Sequence, residues 1–581
     1  MKPKTCCFFL FLVVCFSLFA ACSKQGSETP DSGYIAGIPS PTPTFDRFAS
    51  ELFAKEISQD TISLHYSLSS PENYGISDYP ITLGTMEGGN EEELLDTYSS
   101  LLLYNKEDLS MQEQLTYDVL KRHLDLLLSD NSSEYLAELL GPATGFQAQL
   151  PILLAEYRFE RIDDVKHYLA LLPKVYDYFK ELSDFELEKS RRGYFMTDEC
   201  AKEIIDGCLE FLENPGENFL ISTFEERLGA LSLSMSEKTE YILANQNALY
   251  TYVYPAYELL VETLTSCLGT GENPYGLCYF DGGKEYYALL GSYITGSDKS
   301  VAEWKEQLSD AIQTACRTMS SCLAKETSLY TEALYPTYPE TEPEAIIEYV
   351  KQAAASDFPS FDCGCYQVKY LPSSLQEYLS PAMYLTPPLD AYNNNLIYIN
   401  PNPAYAGDCL FPTVIHEGYP GHMYQTVSCL SGDIHPLRYI LAPTGYEEGW
   451  ATYVENYCYR YAGLSETFTE FLQADQTATL CLYALSDILI HYEGYTPKEL
   501  HTYLSLYGFS EEVSDLIYQT LLSEPLSYLP YAIGFLEFLE LREAAKDLWG
   551  DAYTDYKYHS FLMETGPMPF SMLEELLINS H

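Results

Sequence analysis

The chain of 581 residues carries 85 acidic and 32 basic side chains, which gives a formal net charge of −53 at pH 7. This charge repels phosphate, so it excludes nucleic-acid binding through a basic surface and attachment to anionic lipid by a polybasic patch. The hydrophobic fraction of 46%, with 53 Tyr and 27 Phe, is enough to build a large core and argues against intrinsic disorder.

Residues 1–22 are predicted to be a bacterial lipoprotein signal peptide. Lys2 and Lys4 precede an apolar stretch, residues 5–21, that is too short to span a membrane comfortably. The stretch ends in Ala-Ala-Cys, which resembles the lipobox of bacterial lipoproteins. That resemblance implies that Cys22 is lipidated and that the mature protein is extracytoplasmic and anchored to the cell membrane. The alternative is a plain secretory signal with an incidental cysteine.

Residues 23–45 are rich in Pro and Ser and are predicted to form a flexible tether. From Asp46 onward, apolar residues recur every three or four positions, which is typical of amphipathic helices. Capping boxes at 300–303, 341–344 and 496–499 indicate helix starts. The clearest helical segments are 93–104, 111–128, 164–182, 198–212 and 225–264.

The best strand signal is residues 395–399, Asn-Leu-Ile-Tyr-Ile, which are bounded by turn-forming residues. The predicted fold class is therefore mainly α with a small β-sheet. We expect an N-terminal helical region, 46–270, and a catalytic region, 271–581, packed together as one body.

Residues 413–425 contain a candidate metal-binding pair. His416 and Glu417 would open the zincin pattern H-E-x-x-H, in which two histidines at i and i+4 share one helix face. Here the second histidine, His422, is at i+6, about 240° round a regular helix. Pro420 and Gly421 can break the helix and return His422 to the metal side. The alternative is two ordinary histidines on a core helix.

A second acidic segment, residues 446–455, lies downstream of His422 at the distance where gluzincins place a third ligand. Glu448 and Glu455 are seven residues apart and therefore share a helix face. One could bind the metal while the other orients a histidine ligand. The alternative is a solvated acidic face.

The segments around these residues, His416 to Gln425 and Glu448 to Glu455, resemble the bacterial family catalogued as domain of unknown function 885, a mainly helical family grouped with gluzincin metallopeptidases. The resemblance implies a large, gluzincin-like helical body in which His416, His422 and Glu448 hold one zinc ion and Glu417 acts as general base. It also assigns Arg438, between the two segments, to the surroundings of the ligands.

Two further regions are predicted to meet substrate. In zincins an edge strand before the motif helix pairs with an extended peptide, which would make Asn395 and Tyr398 substrate contacts. The alternative is a plain buried strand.

Gluzincins also commonly supply a Tyr hydroxyl and a C-terminal His to the reacting group, and Tyr531 and His559 are the candidates here. Tyr531 follows Pro530 in the first turn of a helix running to about Leu548, and Gly534 would let another backbone approach closely. The alternative for Tyr531 is an ordinary packed tyrosine.

The sequence therefore predicts an extracytoplasmic, membrane-anchored zinc metallopeptidase that acts on short peptides and does not bind nucleic acid. Two alternatives stay open. One is a peptide- or solute-binding lipoprotein that keeps the fold without turnover. The other is a metal-dependent amidase acting on a non-peptide substrate.

Overall fold

The computed structural model describes residues 43–85, 91–334, 336–360, 364–371, 376, 380–402 and 410–579. The predicted signal peptide, with Cys22, and most of the tether lie outside the described residues. The helical body begins slightly earlier than predicted, because Thr44 caps the first helix and Phe45 is buried in the core. α1 therefore begins at the last residue predicted as tether.

The described part of the chain up to residue 270 consists of helices joined by loops. Its longest helix, α6, buries an apolar stripe at helical spacing, and α6 and α7 both pack against α10. The helices are α1 Phe45–Ile57, α2 Thr61–Ser67, α3 Glu91–Leu101, α4 Met111–Ser129, α5 Phe146–Glu156, α6 Ile162–Arg192, α7 Asp198–Leu212, α8 Phe219–Gly229, α9 Met235–Ala248 and α10 Tyr254–Cys267.

The remainder of the chain is also mainly helical, and long helices such as α12, α18, α19 and α22 surround its core. The helices are α11 Gly283–Thr295, α12 Val301–Lys325, α13 Leu329–Glu332, α14 Pro343–Ala353, α15 Leu410–Glu417, α16 His422–Leu430, α17 Leu437–Ile440, α18 Thr444–Cys458, α19 Glu466–His491, α20 Pro497–Leu504, α21 Glu511–Ser523, α22 Leu529–Trp549, α23 Asp555–Thr565 and α24 Phe570–Asn579. The predicted fold class, mainly α with a small sheet, is confirmed.

The sheet has three strands in the order β1-β3-β2, namely β1 Cys365–Tyr370, β2 Ala382–Leu385 and β3 Asn394–Ile399. β3 runs parallel to β1 and antiparallel to β2. The predicted strand is therefore present, but the expectation that it is an edge strand is wrong, because β3 is hydrogen-bonded on both sides. β2 is the edge strand that packs beside α15.

The sheet lies between two hydrophobic cores because alternate side chains of a strand point to opposite faces. Ile397 and Ile399 belong to the core of the C-terminal region, whereas Tyr398 and Met383 join the core built around α6 and α10. The sheet thus holds the N-terminal helices close to the motif helix α15. Within the described residues, no helix has the length and apolar character needed to cross a membrane.

Candidate metal centre

A break between two short helices brings His416 and His422 together. α15 ends at Glu417 and α16 begins at His422, so residues 418–421 leave the helical path. A Cβ atom on Gly421 would lie 1.9 Å from the carbonyl oxygen of His416, so a larger residue does not fit there. The indole N–H of Trp450 donates to the carbonyl oxygen of Pro420 at 2.9 Å and holds the break.

The two imidazole ring centroids lie 4.8 Å apart as a result of this break. The prediction that the helix interruption returns the histidine at i+6 to the same side as His416 is confirmed. Both side chains are buried, at 1% and 2% exposure. Burial lowers the pKa of His422, which favours the neutral imidazole that binds metals.

Glu448 completes the group from α18. Its Oε2 atom lies 3.5 Å from Nε2 of His416 and 3.4 Å from Nε2 of His422, and one ligand atom from each residue lies within 4.8 Å of the others. Glu448 is fully buried, and neither of its carboxylate oxygens accepts a well-formed hydrogen bond within the described part of the chain. Burial raises the pKa of Glu448, but the two histidines outweigh burial and lower it. Two imidazoles and one buried carboxylate form a donor set that suits Zn²⁺.

Glu455 supports this group from the same helix as Glu448. Its Oε2 atom lies 3.1 Å from Nδ1 of His416, so the carboxylate fixes the ring orientation and leaves Nε2 facing Glu448. Burial alone lowers the pKa of His416, but the carboxylates of Glu448 and Glu455 outweigh burial and raise it to about 10. Glu455 therefore lies beside a candidate ligand, and its role in orienting that ligand stays a prediction.

Glu417 lies at the end of α15 beside these residues. Its Oε2 atom accepts a hydrogen bond of 2.8 Å from the backbone N–H of Tyr384 on β2. Burial is the main cause that raises the pKa of Glu417 to about 8, and the charge of His416 opposes it. A carboxyl group that can lose or take up a proton near neutral pH suits a general base.

Tyr531 is brought to the same group by helix packing. α22 packs against α18, and Tyr531 in its first turn is 5% exposed. The pKa of its phenol is raised well above the ordinary value by burial first and then by the charges of Glu448 and Glu417, so its hydroxyl lies close to both. The structure therefore places Tyr531 where the sequence predicted it, whereas its role in a reaction stays a prediction.

His559 does not reach the candidate metal group, so the expectation that it contacts the reacting group is wrong. Its Nδ1 atom lies 2.7 Å from the carbonyl oxygen of Asp357, and its Nε2 atom lies 2.9 Å from the hydroxyl of Tyr453. The ring also stacks on Phe358, with centroids 4.1 Å apart, and is fully buried. Both ring nitrogens are thus bonded inside the core, so His559 cannot meet substrate in this arrangement.

Arg438 was expected beside the candidate ligands, but the structure places it elsewhere. Its guanidinium donates to the carbonyl oxygens of Thr565 and Pro567, at 2.7 and 3.0 Å, and to the side chain of Gln112. It therefore joins α17 to the loop before α24 and contacts none of the three candidate ligands.

The expectation that Asn395 and Tyr398 contact substrate is also wrong, because both side chains are bonded within the protein. Asn395 accepts a hydrogen bond of 2.6 Å from the hydroxyl of Tyr384, and the hydroxyl of Tyr398 donates to Glu156 at 3.0 Å. Both residues lie on the central strand and brace the sheet, so the argument for substrate contact fails. The residue that the sequence analysis missed is Tyr384, although a short apolar run between two prolines marks its strand.

A cavity of about 310 Å³ lies between His422, one of the three candidate ligands, and the N-terminal helices. His422, Tyr384 and Glu447 line it on one side. Leu52 of α1 and Leu124 of α4 are among the residues that line the other. The N-terminal region therefore forms one wall of the candidate site.

The model of a family described as a bacterial protein of unknown function (DUF885) matches residues 89–577. No curated protein matches this chain. Two solved structures share its fold. A "putative lipoprotein" from Colwellia psychrerythraea has a TM-score of 0.79 at 17% identity, covering 93% of this chain and 99% of that one. A "putative lipoprotein of unknown function" from Shewanella oneidensis has a TM-score of 0.61 at 16% identity, covering 92% and 100%. Because the family match spans most of its length, the chain belongs to the bacterial DUF885 family.

Proposed function

We propose that this protein is an extracytoplasmic zinc metallopeptidase, anchored to the bacterial membrane, that hydrolyses peptide bonds of short peptides. The observation that carries the proposal is the buried group of His416, His422 and Glu448 with the carboxylate of Glu417 beside it. Buried carboxylates and imidazoles cost free energy unless something compensates them, and a divalent cation would do so.

His416, His422 and Glu448 would hold the zinc ion. When bound, zinc supplies a Lewis acid that lowers the pKa of a coordinated water and polarises a carbonyl group. Glu417 would accept the proton of the attacking water and pass it to the leaving amine, and its hydrogen bond from Tyr384 holds the carboxylate in place. The hydroxyl of Tyr531 would donate a hydrogen bond to the oxyanion that forms on the substrate carbonyl.

The cavity supports short peptides as the substrate class. A volume of about 310 Å³ lies at the lower end of the range for sites that bind small ligands. Because helices of both regions wall this space, a folded protein would not enter it, whereas a short extended chain would.

The membrane anchor is proposed from the lipobox-like segment that ends at Cys22. The descriptions of the two similar structures as lipoproteins support it. Cys22→Ser is expected to release the protein from the membrane fraction or to leave the leader uncleaved. Unchanged processing and unchanged membrane association of this variant would contradict the anchor.

The function is tested by measuring zinc content and the turnover of a mixed library of short peptides. The wild-type protein should contain about one zinc per chain and cleave part of the library. Glu417→Gln should keep zinc and fold but lose about 10²–10⁴-fold in rate, because an amide cannot accept the proton. Binding of peptides without cleavage would favour a binding lipoprotein, and cleavage of non-peptide amides alone would favour an amidase.

A further inference from the structure

The cavity beside the metal centre is lined by more carboxyl groups than cationic groups. Among the described residues that line it, six carry carboxyl groups, whereas Lys55 alone carries an ammonium group, and Lys55 is paired with Glu93. His123 adds no positive charge at neutral pH, because burial and the neighbouring Arg122 lower its pKa to about 4. The six acidic residues are Glu56, Glu93, Asp130, Glu134, Glu156 and Glu447.

Although the whole chain is acidic, carboxylates in this cavity attract a cation more strongly than carboxylates on the outer surface do. Charges on an open surface are screened by water and salt, whereas a cleft with low-dielectric walls concentrates the field of the charges that line it. A ligand with a positive charge would therefore be attracted into this cavity, and one with a negative charge would be repelled.

Glu447 is the acid of this lining that is adjacent in sequence to a candidate metal ligand. Successive residues of a helix point about 100° apart, so Glu448 faces the two histidines while Glu447 lines the cavity. Within the described part of the chain, the half-buried carboxyl group of Glu447 makes no hydrogen bond and no ion pair. Burial, and then the charge of Glu448, raises its pKa to about 8. A cation beside Glu447 would lower this pKa and favour the carboxylate. A cationic donor on a ligand would supply the missing partner.

The rest of the lining is largely apolar. Leucines from several elements, including Leu94 of α3, Leu290 of α11 and Leu385 of β2, contribute to it. Such a surface favours a ligand that carries apolar side chains beside its charge. A small cationic sugar or polyamine would leave these leucines uncovered, whereas a peptide with apolar and basic residues would cover them.

We propose that this cavity selects short peptides that carry a cationic group and that Glu447 binds that group. The inference rests on the proposed peptidase function, because it assigns a substrate class to the same site. The shared chemistry is a protonated amine or guanidinium, which either a basic side chain or a free amino terminus can supply. A hydrogen bond to a charged group typically stabilises a complex enough to change affinity by about 10- to 100-fold.

The first experiment uses the zinc-loaded full chain and three peptides of equal length. The peptides differ at a single position, which carries Lys in one, norleucine in the second and Glu in the third. Each peptide is tested with a free and with an acetylated amino terminus, which separates the two sources of positive charge. The peptides with a cationic group should show a kcat/KM about 10- to 100-fold above the neutral, acetylated peptide, mainly through a lower KM. Equal kcat/KM values across the series would overturn the proposal.

Glu447→Gln tests the named residue. It should reduce the ratio of kcat/KM for cationic over neutral peptides by about 10- to 100-fold while the zinc content stays the same. The matched control is Glu574→Gln, which removes the same charge from an exposed position on α24 outside the cavity and should leave the ratio unchanged. A ratio that persists in Glu447→Gln would contradict the role of this residue.

A binding measurement separates this inference from the proposed function. Calorimetry with the Glu417→Gln protein measures peptide affinity without turnover. Preferential binding of the Lys peptide, together with a wild-type protein that cleaves none of the series, would support the charge selectivity and contradict the peptidase function. Cleavage of all the peptides with equal affinities would contradict the charge selectivity and leave the peptidase function standing.

Discussion

Gly449 of α18 and Gly534 of α22 face each other where the two helices touch. A Cβ atom on Gly449 would lie 2.4 Å from the Cα atom of Gly534, and one on Gly534 would lie 2.0 Å from the carbonyl oxygen of Gly445. The backbones therefore meet directly, with no side chain between them. This contact joins the helix that carries Glu448 to the helix that carries Tyr531.

Gly534→Ala should therefore disturb both stability and the site. The added methyl group cannot fit unless the helices separate, and overpacking of this kind costs about 1–3 kcal/mol. The separation should also weaken zinc binding, because it moves α18. Chemical denaturation and a zinc competition titration measure the two effects.

The matched control is Gly207→Ala on α7, where an added Cβ meets nothing within 4 Å. This variant should be slightly more stable than the wild type, by about 0.5–1 kcal/mol, because alanine favours the helix. If the two variants unfold alike and bind zinc alike, the close contact of α18 and α22 is not a determinant of the site.

Glu448 and Glu455 should differ in their effect on zinc affinity, although they lie on one face of α18. Glu448→Gln removes the charge of a candidate ligand and should abolish binding at micromolar zinc. Glu455→Gln keeps the three ligands but weakens the hold on Nδ1 of His416, at 3.1 Å in the wild type, and should reduce affinity about 10- to 100-fold. Competition with a chelating dye gives both dissociation constants, and equal losses in the two variants would contradict the division of roles.

Tyr531→Phe should lower kcat by about 10- to 10³-fold, the upper value being the cost of one lost oxyanion donor. KM, zinc content and the melting temperature should change little, because phenylalanine fills the same buried space. Normal turnover of this variant would show that another group stabilises the oxyanion.

The parts of the fold that local chemistry determines could be predicted from the sequence. α7 has the predicted bounds, and the capping boxes at Ser300 and Thr496 both form. The box at 341–344 does not form, because that helix starts at Pro343 after Glu342. The segment 225–264, expected to form one continuous helix, is divided among α8, α9 and α10. A capping box at Ser234 marks the break before α9.

In the candidate site, too, local sequence predicts some positions, whereas others depend on contacts between distant parts of the chain. His416, His422 and Glu448 were found because the motif spacing and the Pro-Gly break act within a few turns of helix. The expected place of His559 is wrong because its partner Asp357 lies 202 residues away in the sequence, and nothing local indicates that contact. The position of β3 inside the sheet likewise depends on its pairing with β1, in which the alternating Tyr366, Val368 and Tyr370 indicate a strand but not its neighbour.

Asp487 should make the stability of the protein depend on pH. Its carboxylate is fully buried and accepts hydrogen bonds from the hydroxyl of Tyr287 at 2.5 Å and the backbone N–H of Leu526 at 2.9 Å. Burial nevertheless dominates and raises the pKa of Asp487 from 3.8 to about 7. Between these values the folded state binds more protons than the unfolded state, so the contribution of Asp487 to stability is lost as the pH rises through about 7.

Asp487→Asn should remove this dependence, because asparagine stays neutral, can accept from Leu526 and can donate to the hydroxyl of Tyr287. The free energy of unfolding of the variant minus that of the wild type should therefore increase by about 3 kcal/mol between pH 4.5 and pH 8, since each pKa unit corresponds to about 1.4 kcal/mol. Urea denaturation at a series of pH values measures this difference, in which the titration of the other carboxyl groups cancels. A difference that stays constant with pH would mean that Asp487 remains ionised in the folded protein and that its two hydrogen bonds compensate its burial.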